Sequence, residues 1–301
     1  MHLAHSVHTL HNVASSITAA TPGSDHLPMW KAVVLGLVEG VTEYLPISST
    51  GHLLVVGRLI GLGDVSGDNK VALDAYSVII QFGAIAAVLV ISWRRVLSVL
   101  NGLIGRDAVG RKLLIALAVA FVPAAVIGKG GDSLISEKLL KPWPVVIAWI
   151  IGGIVMLVVW PRLKNRSGFA LEQITPKHAL IIGIAQVAAL WPGTSRSFVT
   201  ILAGLLVGFS LTAAVEFSFL LGLLTLTAAT AYSLLTDGSV VKDTYGIGAP
   251  LVGIVVAAIA AFVAVRFMIA TLNKGGLAPY GWYRIAAGLA TAGLLVTNVI
   301  K

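Results

Sequence analysis

The sequence predicts an all-α integral membrane protein, an inverted-topology repeat with six transmembrane helices and two re-entrant helical hairpins. Three observations carry this reading. The 301 residues are 57% hydrophobic and 11% charged, with a mean hydropathy of +0.94, which is too much apolar and too little charged surface for a soluble domain. Apolar runs long enough to span, or nearly so, fall at 75–92, 113–128, 144–160, 212–235, 250–271 and 285–300, against roughly 20 residues for a helix crossing the hydrocarbon. Two more apolar stretches, 31–60 and 178–208, are broken midway by Pro46 and by Pro192-Gly193, and both carry polar groups at the break.

Residues 1–28 are polar, with His2, His5, His8 and His11 at three-residue spacing. With nothing there to build a core, the segment reads as a disordered N-terminal extension, a metal-binding tract being the alternative. It lacks the basic start and long apolar stretch of a secretory signal. The chain has no cysteine, so neither disulfides nor thiolate ligands are available. The net charge of +8 is scattered over short loops and forms no patch, which argues against nucleic acid and for anionic lipid.

Loop charge sets sidedness, because Lys and Arg accumulate in cytoplasmic loops. Loop 93–112 carries Arg94, Arg95, Arg106, Arg111 and Lys112 against Asp107, and loop 161–177 carries Arg162, Lys164, Arg166 and Lys177 against Glu172. Both are expected inside. Loop 61–74, with Asp64, Asp68 and Asp74 against Lys70, and loop 236–249, with Asp237 and Asp243 against Lys242, are expected outside, as is 129–143 by its place between two spans. The hairpin 31–60 then enters and leaves from outside, and 178–208 from the cytoplasm. Each hairpin is followed by three spans, so repeat 178–301 is the upside-down counterpart of repeat 29–177. Gly36-x-x-Glu39 matches Gly183-x-x-Gln186, and Pro46-x-Ser48-Ser49 matches Pro192-x-Thr194-Ser195 after a one-residue gap. Broken helices meeting near the midplane of inverted repeats form binding sites, and irregular backbone at that depth needs protein or a wet cavity around it.

At the first break, Glu39 and Glu43 share a helix face and repel each other unless a cation or an arginine lies between them. Ionisable groups at membrane depth mark function by default. Pro46 disfavours helix at Leu45, so the first half-helix should stop there. Ser48, Ser49 and Thr50 are placed to cap the second half-helix, whose free N–H groups and positive dipole end suit an anion. At the second break Gly193 supplies backbone freedom, Thr194 and Ser195 supply hydroxyls, and Arg196 offers a fork for two phosphate oxygens. The two helix starts with an arginine and several hydroxyls describe a phosphate or diphosphate pocket, although capping alone would also account for the hydroxyls. His52, one turn beyond Ser49, is an acid, base or nucleophile candidate, or else a structural histidine. Gln81 is expected to bond a re-entrant loop, and Glu216 and Arg266 to be helix-end charges reaching water.

The run Gly36-Leu-Val-Glu39-Gly-Val-Thr-Glu43-Tyr-Leu-Pro46-Ile-Ser-Ser-Thr-Gly51-His52-Leu53, with Gly183-Ile-Ala-Gln186 and Trp191-Pro-Gly-Thr-Ser-Arg196-Ser-x-x-Thr200, resembles the two signatures of the undecaprenyl-diphosphate phosphatase family of the bacitracin-resistance type (BacA/UppP). Further matches lie at Ile80-Gln81-Phe-Gly83 and Glu216-Phe-Ser-Phe-Leu220, so the resemblance covers about residues 29–300. It implies hydrolysis of undecaprenyl diphosphate to undecaprenyl phosphate and phosphate on the outer side of the bacterial plasma (inner) membrane. That reaction recycles the lipid carrier of peptidoglycan synthesis. The resemblance also implies a divalent cation, magnesium or calcium, at Glu39 and Glu43, with Ser49 and His52 as nucleophile or acid/base candidates and Arg196 as phosphate clamp. Ser48, Thr50, Thr194, Ser195, Ser197 and Thr200 complete the expected substrate-binding set. Ser49 attacks in the favoured mechanism, with His52 or a glutamate as base, while attack by His52 or by an activated water stays open. The expected partners are the lipid substrate, bilayer lipid and a second copy of the chain in a homodimer, with no nucleic acid. A polyprenyl-phosphate flippase is the competing reading, since transporters share this architecture.

Overall fold

The structure, a computed structural model, describes residues 27–63, 65–164 and 167–300. The expected extension with its histidines, up to residue 26, lies outside the described residues, as do Asp64 and Arg166 of the loop-charge count. In chain order, α1 (Met29–Thr42) and α2 (Ser49–Leu59) form the first interrupted pair, followed by α3 (Gly67–Ile79), α4 (Gln81–Ile91), α5 (Trp93–Leu103), α6 (Ala108–Leu134) and α7 (Pro142–Leu163). The second interrupted pair is α8 (Pro176–Gln186) and α9 (Arg196–Leu206), followed by α10 (Leu211–Tyr245), α11 (Gly248–Gly275) and α12 (Ala278–Val296). Among the described residues there is no strand, only an isolated bridge between Phe169 and Phe209.

Among the described residues, five segments are long and apolar enough to cross a membrane: Gly67–Ile91, Ala108–Gly131, Pro142–Leu163, Leu211–Tyr245 and Gly248–Gly275. The sixth expected span, 285–300, falls on α12, which starts earlier, takes in Arg284 and is not among the five. Of the expected loops, 61–74 and 129–143 are helical in part, α3 covering 67–74 and helix running through 139, while 93–112 and 236–249 are helical through most of their length. Within 93–112, α5 is amphipathic: Trp93, Leu97, Leu100 and Ile104, at helical spacing, stay exposed while the opposite side packs on α6, the pattern of a helix lying in the interface. Asp107 caps the next helix, accepting from Gly110 N–H at 3.0 Å and Ser98 Oγ at 2.6 Å. The bond from Ser98 is the larger cause holding its carboxyl below the usual range. Within 236–249, no proline interrupts α10, which runs for 35 residues until Gly246 turns at φ 68°. At about 1.5 Å per residue it outruns the hydrocarbon core, and its end is held by Tyr245, whose ring meets Tyr76 edge-on at 6.0 Å.

α10 is the most buried of the long helices, packing against α3, α4 and α9, while α11 packs against α1 and α4 and leaves its other face exposed, α7 pairs with α12, and α6 with α5 and α8. The α1–α11 contact depends on Gly36 and Gly40, where an added Cβ would lie 2.6 Å from Gly253 O and 2.3 Å from Ala257 O. Such small-residue seams let helix backbones approach where lipid removes the hydrophobic drive for association. Gly40→Val should push α1 off α11. Overpacking of this kind costs about 1–3 kcal/mol, and thermal unfolding in detergent should show a lowered midpoint. A midpoint equal to the parent's would mean that the seam opens without cost.

Candidate active site

The two helix breaks converge through the same local geometry. Ser48 (φ 73°, ψ 102°) and Ser195 (φ 74°, ψ 112°) are the N-caps of α2 and α9, accepting from Gly51 N–H at 3.4 Å and Phe198 N–H at 3.3 Å. Positive φ at a non-glycine residue is uncommon, and it persists where the surroundings over-determine it. The first half-helix ends at Thr42, ahead of the stop expected from Pro46, and residues 43–47 form the turn. By cap position Ser48 pairs with Ser195 and Ser49 with Arg196, one residue off the match expected from the sequence. In this register the breaks match without a gap, since Ser48 lies as far beyond Glu39 as Ser195 lies beyond Gln186, and it is the proline that is displaced, with Gly193, at φ 95°, standing opposite Pro46. Ser49 and Arg196 are thus the first residues of their half-helices, at the positive dipole ends.

Arg196 crosses to the other break. Its Nη2 donates to Glu43 Oε1 at 2.9 Å and its Nη1 to Ser218 O at 3.1 Å, with the guanidinium 5.1 Å from the Tyr44 ring centroid. Ser49 Oγ donates to the other oxygen of Glu43, Oε2. The pair is buried, with side-chain exposures of 12% for Arg196 and 7% for Glu43, so each charge relies on the other. Of the two means expected to relieve the glutamate pair, the arginine is the one seen here. Thr200 Oγ1 lies 2.7 Å from Ser218 Oγ and donates to Arg196 O at 2.9 Å, and Ser197 Oγ donates to Leu45 O at 3.0 Å. These two hydroxyls, both expected at the substrate, instead tie the breaks to one another and to α10.

A cavity of about 540 Å³ lies over this arrangement, lined by Glu43, Ser48, Ser49, Thr50, Pro192, Gly193, Ser195 and Arg196 from the breaks. Gln81, Gln186, Lys129, Thr225 and Tyr232 complete its polar lining, with alanines and leucines of α6, of α10 and of the turn 187–190 after α8 around them. Gln186 is buried, and its amide oxygen and nitrogen have no protein partner. Gln81, expected to bond a loop, lines the cavity. Thr194 contributes its carbonyl to a buried arginine, as described below.

His52 is not brought into this cavity. Its Nδ1 donates to Ser48 O at 2.7 Å, leaving Nε2 in the neutral ring to accept from Tyr283 OH at 2.8 Å, and the ring stacks on Tyr283 at 5.7 Å. Glu216, expected to reach water, bonds Arg95 at 3.1 Å, which also holds Glu172 at 2.7 Å.

Glu39 is fully buried, and among the described residues neither of its carboxylate oxygens meets a hydrogen-bond donor. The neighbouring polar group is the Glu43 carboxyl, an acceptor itself, so only a shared proton or a cation would satisfy the pair. Hard carboxylate oxygens are what magnesium and calcium take, and magnesium is commonly held by one or two carboxylates with substrate phosphates. The donor set therefore fits a divalent cation at Glu39. It fits less well at Glu43, whose two oxygens already serve Arg196 and Ser49, and among the described residues no cluster of three or more such ligands exists.

One residue of the site was missed in the sequence. Arg284 is fully buried in α12, immediately before the expected apolar run 285–300. An arginine followed by an unbroken apolar helix was the available signal. It was masked because the residue could pass for a helix-end charge.

The family described as "Bacitracin resistance protein BacA" matches residues 32–290. The chain is similar to an "Undecaprenyl-diphosphatase" of Sorangium cellulosum, 42% identical over 261 residues, covering 85% of this chain and 83% of that one. It is also similar to "Undecaprenyl-diphosphatase 2" of Rhodospirillum rubrum, 42% identical over 88% of this chain and 94% of the relative. "Undecaprenyl-diphosphatase 1" of Chromobacterium violaceum is 40% identical over 91% of this chain and 98% of its own length.

Proposed function

The chain belongs to the bacitracin resistance protein BacA family, and from that premise we propose that it hydrolyses undecaprenyl diphosphate to undecaprenyl phosphate and inorganic phosphate, renewing the lipid carrier of peptidoglycan synthesis. The observation that carries this reading is the Ser49–Glu43–Arg196 chain of contacts at two helix starts within one cavity. A hydroxyl held by a carboxylate is an activated nucleophile, and helix N-termini with an arginine stabilise phosphoryl charge.

In the mechanism we derive, Ser49 Oγ attacks the terminal phosphorus while Glu43 takes its proton. The bond from that phosphorus to the bridging oxygen breaks, and undecaprenyl phosphate leaves. Glu43 passes that proton to the departing undecaprenyl phosphate, then takes one from a water that attacks the phosphoserine and returns it to Ser49 Oγ as inorganic phosphate leaves. Arg196 and the free N–H groups of α2 and α9 bind the phosphoryl oxygens, and Arg196 holds the Glu43 carboxyl in place beside them. A cation held by Glu39, when bound, would supply positive charge that offsets the carboxylates and attracts the diphosphate.

The same reading takes the protein as two inverted repeats, 29–177 and 178–301, with six crossings of the bacterial inner membrane and re-entrant hairpins at α1–α2 and α8–α9. The matching conformations of Ser48 and Ser195 support the repeat. Loop charge supports the orientation, and the Lys129 and Tyr232 lining supports a cavity open to the outer side.

Phosphate release from undecaprenyl diphosphate by the purified protein in detergent, with and without chelator, tests the function. Lipid movement across vesicles without phosphate release would favour the flippase reading instead. Glu39→Gln should cut turnover about 100-fold or more and flatten the response to added magnesium, while leaving the thermal midpoint near the parent's, since the carboxylate makes no hydrogen bond with a donor in the fold. Parent-like activity across the magnesium titration would remove Glu39 from the cation site.

A further inference from the structure

Arg284 donates to five backbone carbonyls from three separate segments. Its Nε reaches Trp149 O at 3.4 Å and its Nη2 reaches Ala148 O at 2.8 Å, both in α7. The first break is engaged through Pro46 O at 3.3 Å from Nη1. The second is engaged through Gly193 O at 2.9 Å from Nη2 and Thr194 O at 2.9 Å from Nη1. The side chain is fully buried, and the guanidinium lies 5.2 Å from the Phe198 ring centroid. No ion pair to a carboxylate is formed by Arg284 among the described residues. A hydrophobic anchor would suffice if α12 only had to stay packed against α7. A buried cation held by carbonyls costs desolvation that packing alone does not require.

The geometry points to Arg284 as the positioning residue of the site: it sets Pro46 and Gly193-Thr194, and hence Ser49 and Arg196, at the spacing the reaction needs. Pro46 lies two residues before the N-cap Ser48, and Thr194 lies directly before the N-cap Ser195. One planar fork bonded to both turns therefore couples the starts of α2 and α9. Fixed forks of this kind transmit register better than a point charge does. This deepens the phosphatase reading and rests on it. Gly152 in α7 makes room for the fork, since a Cβ there would lie 2.2 Å from Arg284 Nη2. Gly152 lines no part of the cavity, so its substitution moves the fork without touching the substrate.

The test is steady-state phosphate release by the parent protein and by Gly152→Ala, Arg284→Lys and Arg284→Gln, each checked for a monodisperse, cooperatively unfolding state in detergent. Gly152→Ala is expected to lower kcat about 10- to 100-fold with KM changed less than about threefold, because misplacement of roughly 1 Å costs rate before affinity. Arg284→Lys, which keeps the charge and some donors, should restore part of what Arg284→Gln loses. In the Arg284→Lys background, adding Gly152→Ala should cost less than about threefold, since no fork remains to be displaced. Folded variants with the parent's kcat would overturn the assignment, as would a kcat loss that only follows the loss of folded protein. Collapse of all three variants would also overturn it, leaving Arg284 as architecture alone. A parent protein that releases no phosphate would instead refute the phosphatase reading, which separates the two failures.

Discussion

Ser49→Ala should reduce phosphate release by about three orders of magnitude or more, to near background, with the protein still folded. Losing the attacking atom removes the covalent route, which the remaining groups cannot replace. The variant deletes one hydroxyl whose partner is Glu43, and the cap of α2 is the neighbouring Ser48, so the fold keeps its own bonds. Rapid quench with substrate labelled at the terminal phosphate should trap an acid-stable, base-labile phosphoserine in the parent and none in Ser49→Ala. His52→Ala should keep the label and lose less than about tenfold in rate, because His52 bonds Ser48 O and Tyr283 and does not line the cavity. An acid-labile adduct that vanishes in His52→Ala would transfer the role to histidine. No adduct on a timescale shorter than turnover, with Ser49→Ala still active, would point to water.

Arg196→Lys should lose roughly 100-fold in kcat/KM, the scale of one lost charge-stabilising donor. The guanidinium holds Glu43 Oε1 and Ser218 O at once, and a lysine ammonium on a flexible stem does not reproduce that planar fork. Removing one member of a buried pair also strands the other, at about 3–5 kcal/mol. Glu43→Gln should therefore be at least as damaging, since it leaves Arg196 unpaired and deprives Ser49 of its base. Because both act in one network, the Glu43→Gln/Arg196→Gln double variant should lose much less than the product of the single losses. Full additivity, or an Arg196→Lys variant with parental kcat/KM, would show that the contact is incidental to the reaction.

The membrane class, both helix breaks and most of the site's chemistry were legible in the sequence because they are local. Pro46 and Pro192 mark the breaks although α1 and α8 end before them, at Thr42 and Gln186, Ser48 and Ser195 cap the half-helices that follow, and apolar runs reveal length without any knowledge of neighbours. Local signals also misled: the charges in 93–112 and 236–249 suggested loops, whereas α5 is an amphipathic helix and α10 continues unbroken to Tyr245. Hydropathy cannot distinguish a polar loop from a helix with one polar face or one emerging into water.

Tertiary structure alone decided which groups meet. The Glu43–Arg196 contact spans 153 positions and the Pro46–Arg284 contact 238, and such pairings depend on how helices register against one another. The sequence listed an arginine and a cation as equal partners for the glutamate pair. Packing gave the arginine to Glu43 and left Glu39 without a donor. His52 was one turn from Ser49 in the sequence, but the rotation of α2 directs it to Tyr283 and away from the cavity. Arg284 went unnoticed because its meaning lies in five carbonyls on other segments. Every residue carries a carbonyl, so the sequence does not mark these as partners; only the approach of three segments to one point makes them a site for a cation.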